Sequence, residues 1–406
     1  MADTLYLSRD SKLFVSTPAG FKETDAALKW EVPILEGFSI SQTDNSSEVT
    51  TSEAVGANGI TSRGMHKFKT STNPCEFSFQ TYVRPYKTGN AGSTEEIGST
   101  NKFSGQSNNE SAPELILWAL MASATQLNDD GHYVNASAGT VASPTGVVVN
   151  PGEAGSNPTV VDFSKSVIAQ AAPADLIFEV AEMTGNTATR YAAVGAVISE
   201  ATIDFDIEGI ATISWTGTAK SMTVTSGQTK LVGDVSERLT GSTSPAKFIQ
   251  NKLSQVVLDP AAGGLNGGTA YNLVLTGGSV TFSNSVEFIT PEQIHTVNDP
   301  IAHYLGTLSI TGSLTCYLNG DTNSSLKLLT DSLTHNDTVN SNALNVTIGA
   351  AAGPNLKIKV DNAHIDIPST SFDDVVSLDI GFTALGASNN IANSSQVSLE
   401  YKSGES

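Results

Sequence analysis

The residues of this chain that come closest to a chemical site are three carboxylates at alternating positions, Asp204, Asp206 and Glu208. Paired carboxylates can act as acid and base in hydrolysis, and carboxylate oxygens also bind Ca²⁺. A regular strand places alternate residues on one face, however, whereas calcium ligands usually come from a curved loop. The pattern therefore favours a solvated sheet face over a catalytic or metal site.

The remaining reactive residues are scattered along the sequence. None of the six histidines has a carboxylate or cysteine at ligand spacing, although His295 and His303 share one predicted loop and leave a metal site there as a minor alternative. Cys75 and Cys316 are far apart, which predicts two unpaired thiols in a protein made in a reducing compartment. The sequence lacks the motifs for phosphate cradling, dinucleotide binding, zinc proteolysis and serine hydrolysis. We therefore predict neither an enzyme nor a bound cofactor.

The composition is that of a folded, acidic protein. The 406 residues include 41 acidic and 21 basic side chains, for a formal charge of −20, and 39% are hydrophobic, too many for a disordered acidic chain. A surface of this charge repels both a phosphate backbone and an anionic membrane. The sequence has no apolar run of about 20 residues and no apolar signal core near its N-terminus, so we expect neither a membrane span nor a secretory signal.

The three carboxylates belong to one of many segments with strand periodicity. Residues 202–208, 210–216 and 376–382 alternate apolar and polar side chains between clusters of Gly, Asn, Ser and Asp, which predicts a mostly β protein. Two helices are predicted, a short buried one over 112–122 and a second over 324–333.

The order of elements in the first half recurs in the second, which predicts one domain duplicated within the chain. The matched segments are 12–16 with 252–258, 35–41 with 275–283, 79–83 with 314–318, the two predicted helices, 201–207 with 363–367, and the strand that follows each of these. The predicted parts are a first domain over 1–225 with insertions near 88–111 and 128–159, a linker over 226–246, and a second domain over 247–406.

Eight segments match a known family in order. They are KLFVST at 12–17, 36–87, ELILWAL at 114–120, 200–217, 248–258, 275–292, ITGSLTCYLN at 310–319 and 363–385. This set resembles the duplicated tail tube proteins of long-tailed siphophages, in which two fused tail-tube domains form one subunit. The resemblance implies a β-sandwich with a flanking helix in each domain, and one sheet of each domain lining a barrel.

The resemblance also implies an assembly. Three subunits would form a ring with pseudo-sixfold symmetry, and the rings would stack head to tail into the tube of a virion tail assembled in the host cytoplasm. The implied partners are other copies of the chain, the tape measure protein, and the tail tip and terminator proteins. DNA would pass through the lumen without being held, because a wall of Asp, Glu, Ser and Thr offers phosphate no cation.

On that interpretation, acidic and hydroxyl side chains at alternating strand positions are candidates for the wall of the lumen. They are Asp204, Asp206, Glu208, Thr212, Ser214, Asp366, Ser377 and Asp379, with Ser39 and Ser41 from the first copy. The alternative is an outer, merely solvated strand face, and the sequence leaves both open because it does not fix strand direction.

Two long connections are candidates for contacts between rings. Residues 51–66 are too long and Gly-rich for a simple hairpin, and residues 290–304 are their counterpart in the second copy. In the resembled family such arms reach the next ring, so Arg63, Met65 and Ile294 are candidate stacking contacts. An ordinary surface loop is the alternative.

Two other functions stay open at this point. An extracellular β-sandwich adhesin or surface-layer binding protein would share the acidity and the richness in Ser, Thr, Asn and Gly, but it would normally carry a secretion signal. A polysaccharide hydrolase has only the row of carboxylates in its favour. Negative-stain images would separate hollow tubes or threefold rings from elongated or compact monomers.

Overall fold

The described part of the chain is built almost wholly of antiparallel strands, with two short α-helices. The computed structural model describes residues 6–16, 30–49, 65–87, 110–122, 126–127, 133–134, 159–163, 173–183, 185–231, 247–261, 264–334, 342–372, 374–386 and 397–404. The strands are β1 (Tyr6–Ser16), β2 (Trp30–Val32), β3 (Phe38–Ser41), β4 (Asp44–Val49), β5 (His66–Thr72), β6 (Cys75–Tyr82), β7 (Tyr86–Lys87), β8 (Glu110–Ser111), β9 (Gln126–Leu127), β10 (Tyr133–Val134), β11 (Thr159–Asp162), β12 (Ala174–Glu182), β13 (Thr187–Asp206), β14 (Thr212–Thr229), β15 (Gln255–Pro260), β16 (Tyr271–Leu273), β17 (Leu275–Ile289), β18 (Ala302–Tyr317), β19 (Asn342–Gly349), β20 (Asn355–Ile365), β21 (Ser369–Phe372), β22 (Val376–Ala384) and β23 (Val397–Lys402). The helices are α1 (Leu115–Met121) and α2 (Ser325–Thr334), close to the predicted positions.

Eight strands from both halves of the chain form one antiparallel sheet, which we call the central sheet. Their order is β3–β6–β14–β13–β17–β18–β22–β21. The predicted strands at 210–216 and 376–382 lie in β14 and β22, where burial alternates with the strand period of two. The predicted strand at 202–208 ends at Asp206 instead, because the N–H of Gly209 donates to the Asp206 carbonyl and turns the chain toward β14.

Two flanking sheets adjoin the central sheet: the first shares β13 and β14 with it, and the second is joined to it by the pairing of β20 with β22. The first is β2–β1–β12–β13–β14 and the second is β16–β15–β19–β20–β23–β11. β13 runs for 20 residues because its first part pairs with β12 and its last part with β17. A shift in register between Ile198 and Glu200 marks a bulge, which lets the strand bend from one sheet into the other.

The hydrophobic core lies between the central sheet and the flanking sheets. Leu13 of the first flanking sheet, Val256 of the second and Trp215 of the central sheet belong to one continuous buried cluster. α1 is apolar at every position, and the centroid of its Trp118 ring lies 4.7 Å from that of Trp215 and 5.0 Å from that of Phe282. The helix therefore covers the core side of the central sheet where the two halves of the chain meet.

The central strands pair in the same order in both halves. The first half has β3–β6–β14–β13, and the second has β17–β18–β22 followed by β20 and β21. The predicted match of residues 201–207 with 363–367 is wrong in register, since Ser369–Phe372 lies beside β22 where residues 202–205 lie beside β14.

The predicted linker and insertions fall largely outside the described residues. The first residues of the linker, 226–229, continue β14, and residues 232–246 are not described. Most of residues 88–111 and 128–159 also lie outside the described parts of the chain. The predicted domain boundary therefore stays a prediction.

A buried carboxyl group lies directly before α1. Glu114 is 1% exposed, and burial raises the pKa of its side chain to about 7, although Tyr401 donates a hydrogen bond to it. The Tyr401 hydroxyl in turn accepts a bond from Trp118 Nε1 at 2.8 Å. Oε1 of Glu114 has no partner among the described residues, so the fold favours the protonated acid.

We predict that Glu114→Gln stabilises the protein at pH 8 but not at pH 4. The pKa of Glu114 is higher in the folded chain than in the unfolded one, so wild-type stability falls as the pH rises from about 4.5 to about 7 and stays lower above that. Glutamine keeps the shape without the charge, and the gain at pH 8 should be on the order of 3 kcal/mol. Urea unfolding of both proteins at the two pH values measures this; an equal difference at both values would contradict it.

Candidate functional site

The face of the central sheet opposite the core is a continuous polar surface, which we call the polar face. Its side chains align in rows because each strand is paired in register with the next. One row is Ser39, Ser78, Thr216, Glu200, Ser283 and Ser309, and the next is Gln80, Ser214, Thr202, Thr281, Thr311 and Thr383. Side-chain hydrogen bonds cross between strands, including Thr202 to Thr281 at 3.1 Å and Gln80 to Ser214 at 3.0 Å.

Nine of the ten residues predicted to line a lumen lie on this one face. They are Ser39, Ser41, Asp204, Asp206, Thr212, Ser214, Asp366, Ser377 and Asp379. Asp366 follows β20, and its carboxylate lies beside Gly381. Glu208 is the exception, since it lies in the turn after Asp206 and not in the row of strand positions. The structure thus brings together residues that are up to 340 positions apart in the chain.

Sequence reasoning missed much of the polar face. It selected neither Glu76 nor Glu200, both exposed, nor the hydroxyl side chains of the two middle strands β17 and β18. Those hydroxyl residues are Ser279, Thr281, Ser283, Ser309, Thr311 and Ser313. The signal was present, because residues 75–82 and 277–283 alternate with the same period of two as residues 202–206.

Negative charge dominates the polar face. Its carboxylates are Glu76, Glu200, Asp204, Asp206, Asp366 and Asp379. Lys220, at the margin, is the only Lys or Arg that the described part of the eight strands places there. Partial burial raises the pKa of Asp204, which pairs with Thr212 on one side and Ser279 on the other. A face of this kind has many negatively charged hydrogen-bond acceptors and almost no cation to which a phosphate group could bind.

On the core side of the central sheet, three glycines each face a phenylalanine on the neighbouring strand. The pairs are Gly217 with Phe77, Gly278 with Phe205, and Gly312 with Phe382. A Cβ atom built on Gly278 would lie 2.8 Å from the Phe205 ring and 2.7 Å from the Ser313 carbonyl oxygen. The rings therefore occupy the space that a side chain would need, and the strands pack closely because these residues have none.

Two hairpins extend beyond one end of the central sheet. β4 and β5 form the first arm, and the second arm consists of the parts of β17 and β18 that lead into the loop 290–301. Asn298 of that loop joins the arms, because its N–H donates to the Thr70 carbonyl at 3.2 Å and its carbonyl accepts from the Thr72 N–H at 2.8 Å. The two arms are thus fixed to each other by the backbone.

The stacking candidates that the structure describes are both on the arms. Ile294 is 88% exposed in the loop of the second arm, and Met65 is exposed directly before β5. Arg63 lies outside the described residues. Of the two histidines predicted to share a loop, His295 does lie there, whereas His303 is buried within β18. The described residues contain no group of three or more His, Cys, Asp or Glu that could hold a metal ion.

The opposite end of the central sheet also exposes apolar side chains. They are Ile207, Ile210, Val274, Tyr317, Phe372 and Val375. A cavity of about 400 Å³ lies beside the turn between β13 and β14, and its lining includes Ile207, Ile210, Glu208 and Lys252. Both ends of the sheet therefore carry apolar surface, while the face between them is polar.

These features define a class of protein: a mostly β chain with one long polar sheet face and apolar surfaces at both ends of that sheet. A family model for the phage tail tube protein matches residues 79–384, and the chain belongs to that family. It is also 26% identical over 389 residues to tail tube protein pb6 of Escherichia phage T5, a match that covers 94% of this chain and 73% of that protein. The protein is thus a structural component of the virion tail. No described helix is both long enough and apolar enough to cross a membrane.

We predict that Gly278→Ala destabilises the fold, whereas Gly277→Ala next to it does not. The new Cβ at residue 278 would meet the Phe205 ring and a backbone oxygen, and overpacking of this kind costs about 1–3 kcal/mol. At residue 277 the nearest atom would be 3.5 Å away, an ordinary contact. Thermal unfolding of the two variants beside wild type measures the difference; equal midpoints would show that the close packing does not contribute.

Proposed function

We propose that the chain forms threefold rings that stack into the tail tube, with the polar face lining the lumen through which DNA passes. The observation that carries this proposal is the single continuous polar face, to which both halves of the chain contribute four strands. The repeated order of strand pairing supports a duplicated domain, so that three chains would supply six similar units. Eight strands from each of three chains would make a barrel of about 24 strands, wide enough for an aqueous channel.

The chemistry of the polar face suits a conduit better than a binding site. A protein that neutralises phosphates with Lys or Arg releases counterions and gains affinity for DNA. Here the wall would carry carboxylates and hydroxyls, and Lys220, the one lysine that the described part of these strands places there, lies at the margin. Repulsion from all sides would keep the DNA near the axis, so we propose no specific DNA contact, no cofactor and no catalytic role.

Stacking is proposed to join the arms of one ring to the opposite end of the next. A head-to-tail contact that does not close on itself builds an open filament, as a tube requires. Exposed apolar side chains occur at both ends, and Lys67 and Lys69 on the first arm would meet an end that carries Glu208 and Asp374. The tape measure protein inside the tube and the tip and terminator proteins at its ends are the further proposed partners.

Lysines on the polar face are expected to make the tube retain DNA. In the double variant Asp206→Lys/Asp379→Lys, each cation would form a phosphate contact in every subunit, so we expect tubes of normal shape that bind duplex DNA and release it as the salt concentration rises. The matched control is Asp259→Lys/Asp361→Lys, which makes the same charge change at exposed positions outside the central sheet. Filter binding of DNA to purified tubes over a salt series provides the measurement.

Two outcomes bear on the lumen assignment. DNA bound by the first variant and not by the control supports it. Equal binding by both variants would show that the polar face is no closer to the DNA than the outer surface is, and the assignment would be wrong.

Loss of the apolar arm tip is expected to stop stacking. Ile294→Asp places a charge where Ile294 is 88% exposed in the single chain, so the fold should persist while burial against the next ring becomes unfavourable. We expect rings without long tubes in negative-stain images. Leu333→Asp on α2, also an exposed apolar position, is the control and should give normal tubes. Tubes of wild-type length from the Ile294 variant would exclude the arm tip as a stacking contact. We expect the same failure to stack from Arg63→Glu.

A further inference from the structure

The ladder between β13 and β17 shows how two four-stranded halves of the central sheet join. The two strands are antiparallel, with Thr202 opposite Thr281 and Phe205 opposite Gly278. The two threonine hydroxyls lie 3.1 Å apart on the polar face, and Phe205 is only 2% exposed on the core side. This internal junction is a template for any second junction between similar halves.

Two tyrosines fix how the halves correspond. Tyr82 on β6 lies opposite Thr212 on β14, and Tyr317 on β18 lies opposite Ser377 on β22. Each tyrosine ends a strand in the same place in the pairing order of its half. β6 and β14 therefore correspond to β18 and β22, position by position.

The last strand of the second half then takes the place of β13. In the first half, the residue two positions after the partner of Tyr82 lies opposite Thr202 on β13. In the second half, the residue two positions after the partner of Tyr317 lies opposite Ser369 on β21. Counting along the strand, Phe372 corresponds to Phe205. β21 is thus the counterpart of the part of β13 that forms the internal junction.

The first strand of the first half takes the place of β17. In the first half, the residue three positions before Tyr82 lies opposite Phe38 on β3. In the second half, the residue three positions before Tyr317 lies opposite Gly278 on β17. Ser41 then corresponds to Thr281. Both members of the internal junction therefore have a counterpart at an outer edge of the central sheet, β21 at one edge and β3 at the other.

The two outer edges differ from the internal junction in what covers them. Within the described part of the chain, β3 pairs with β6 alone and β21 with β22 alone. Phe372 is 80% exposed, although its counterpart Phe205 is buried. Phe38 is half-buried and stacks on Phe178 at 4.7 Å between ring centroids. Each edge thus presents an aromatic side chain and a row of strand hydroxyls.

We propose that β21 of one chain pairs antiparallel with β3 of a second copy, with Ser369 opposite Ser41 and Phe372 opposite Phe38. This inference rests on the proposed ring and specifies the contact that closes it. The register follows from the internal junction, with the serine hydroxyls in place of the Thr202–Thr281 contact. An aromatic pair replaces the phenylalanine–glycine pair, and covers the exposed Phe372.

Cysteine pairs test the register. In tubes of the double variant Ser41→Cys/Ser369→Cys, the two thiols would lie directly opposite each other across the junction, close enough for a disulfide. Mild oxidation should then yield covalent trimers that reduction returns to single chains. In Ser39→Cys/Ser369→Cys, the thiols would be offset by two residues, about 7–8 Å apart, and few trimers should form. The native Cys75 and Cys316 are buried and common to both variants.

The outcomes separate this inference from the proposed function. Tubes that are linked only through positions 41 and 369 support both. Tubes that are linked through positions 39 and 369, or through neither pair, would overturn the register and leave the tube intact. A chain that gives no rings or tubes and no disulfides would count against both.

A second variant tests the aromatic contact without relying on disulfides. Phe372→Asp should fold like wild type, because Phe372 is exposed in the single chain, but it should fail to close rings. We expect a species with the mass of one chain in light scattering, where wild type and the control Leu333→Asp give ring-sized particles. Rings of wild-type yield from Phe372→Asp would exclude the pairing with Phe38.

Discussion

The ladder between β13 and β17 is the interaction on which the rest of the structure depends. Seven residue pairs, from Glu200–Ser283 to Asp206–Gly277, make one sheet out of strands from both halves of the chain. Trp118 of α1 packs against both halves behind that ladder. Without this junction each half would expose the edge of a four-stranded sheet, and the polar face would be two separate surfaces.

Part of the polar face could be predicted from the local sequence pattern and part of it could not. Strand alternation is a property of neighbouring residues, so Asp204, Thr212 and Asp379 could be assigned to exposed strand positions from the sequence alone. Alternation does not show where a strand ends, and the turn in which the Gly209 N–H donates to the Asp206 carbonyl takes Glu208 out of the row. Which residues of the two halves correspond also depends on strand pairing, which is non-local. The short sequence match around residues 363–367 therefore predicted the wrong correspondence, and the pairing of β21 with β22 gives the correct one.

The same limits explain what was missed in the fold. The length of β13 reflects two different partners, β12 and β17, and no sequence window contains both. The bend between them follows from a bulge near Ile198, whose signal is a shift in pairing and not a residue type. By contrast, α1 was predictable, because an apolar run after a proline and an acidic residue is itself a local pattern.

The distribution of polar and apolar residues also constrains what the chain can be outside an assembly. An open sheet of eight strands has two edges that can pair with other chains, and a protein that stays monomeric normally blocks such edges with charge, proline or a covering segment. Here β21 has no Lys, Glu or Pro and ends in an exposed phenylalanine, and β3 has serines and an aromatic ring. Joining three such sheets edge to edge into the proposed barrel would remove both edges of every chain. In the proposed barrel the six carboxylates of the polar face would turn inward, where their mutual repulsion would oppose collapse of the lumen and keep it filled with water.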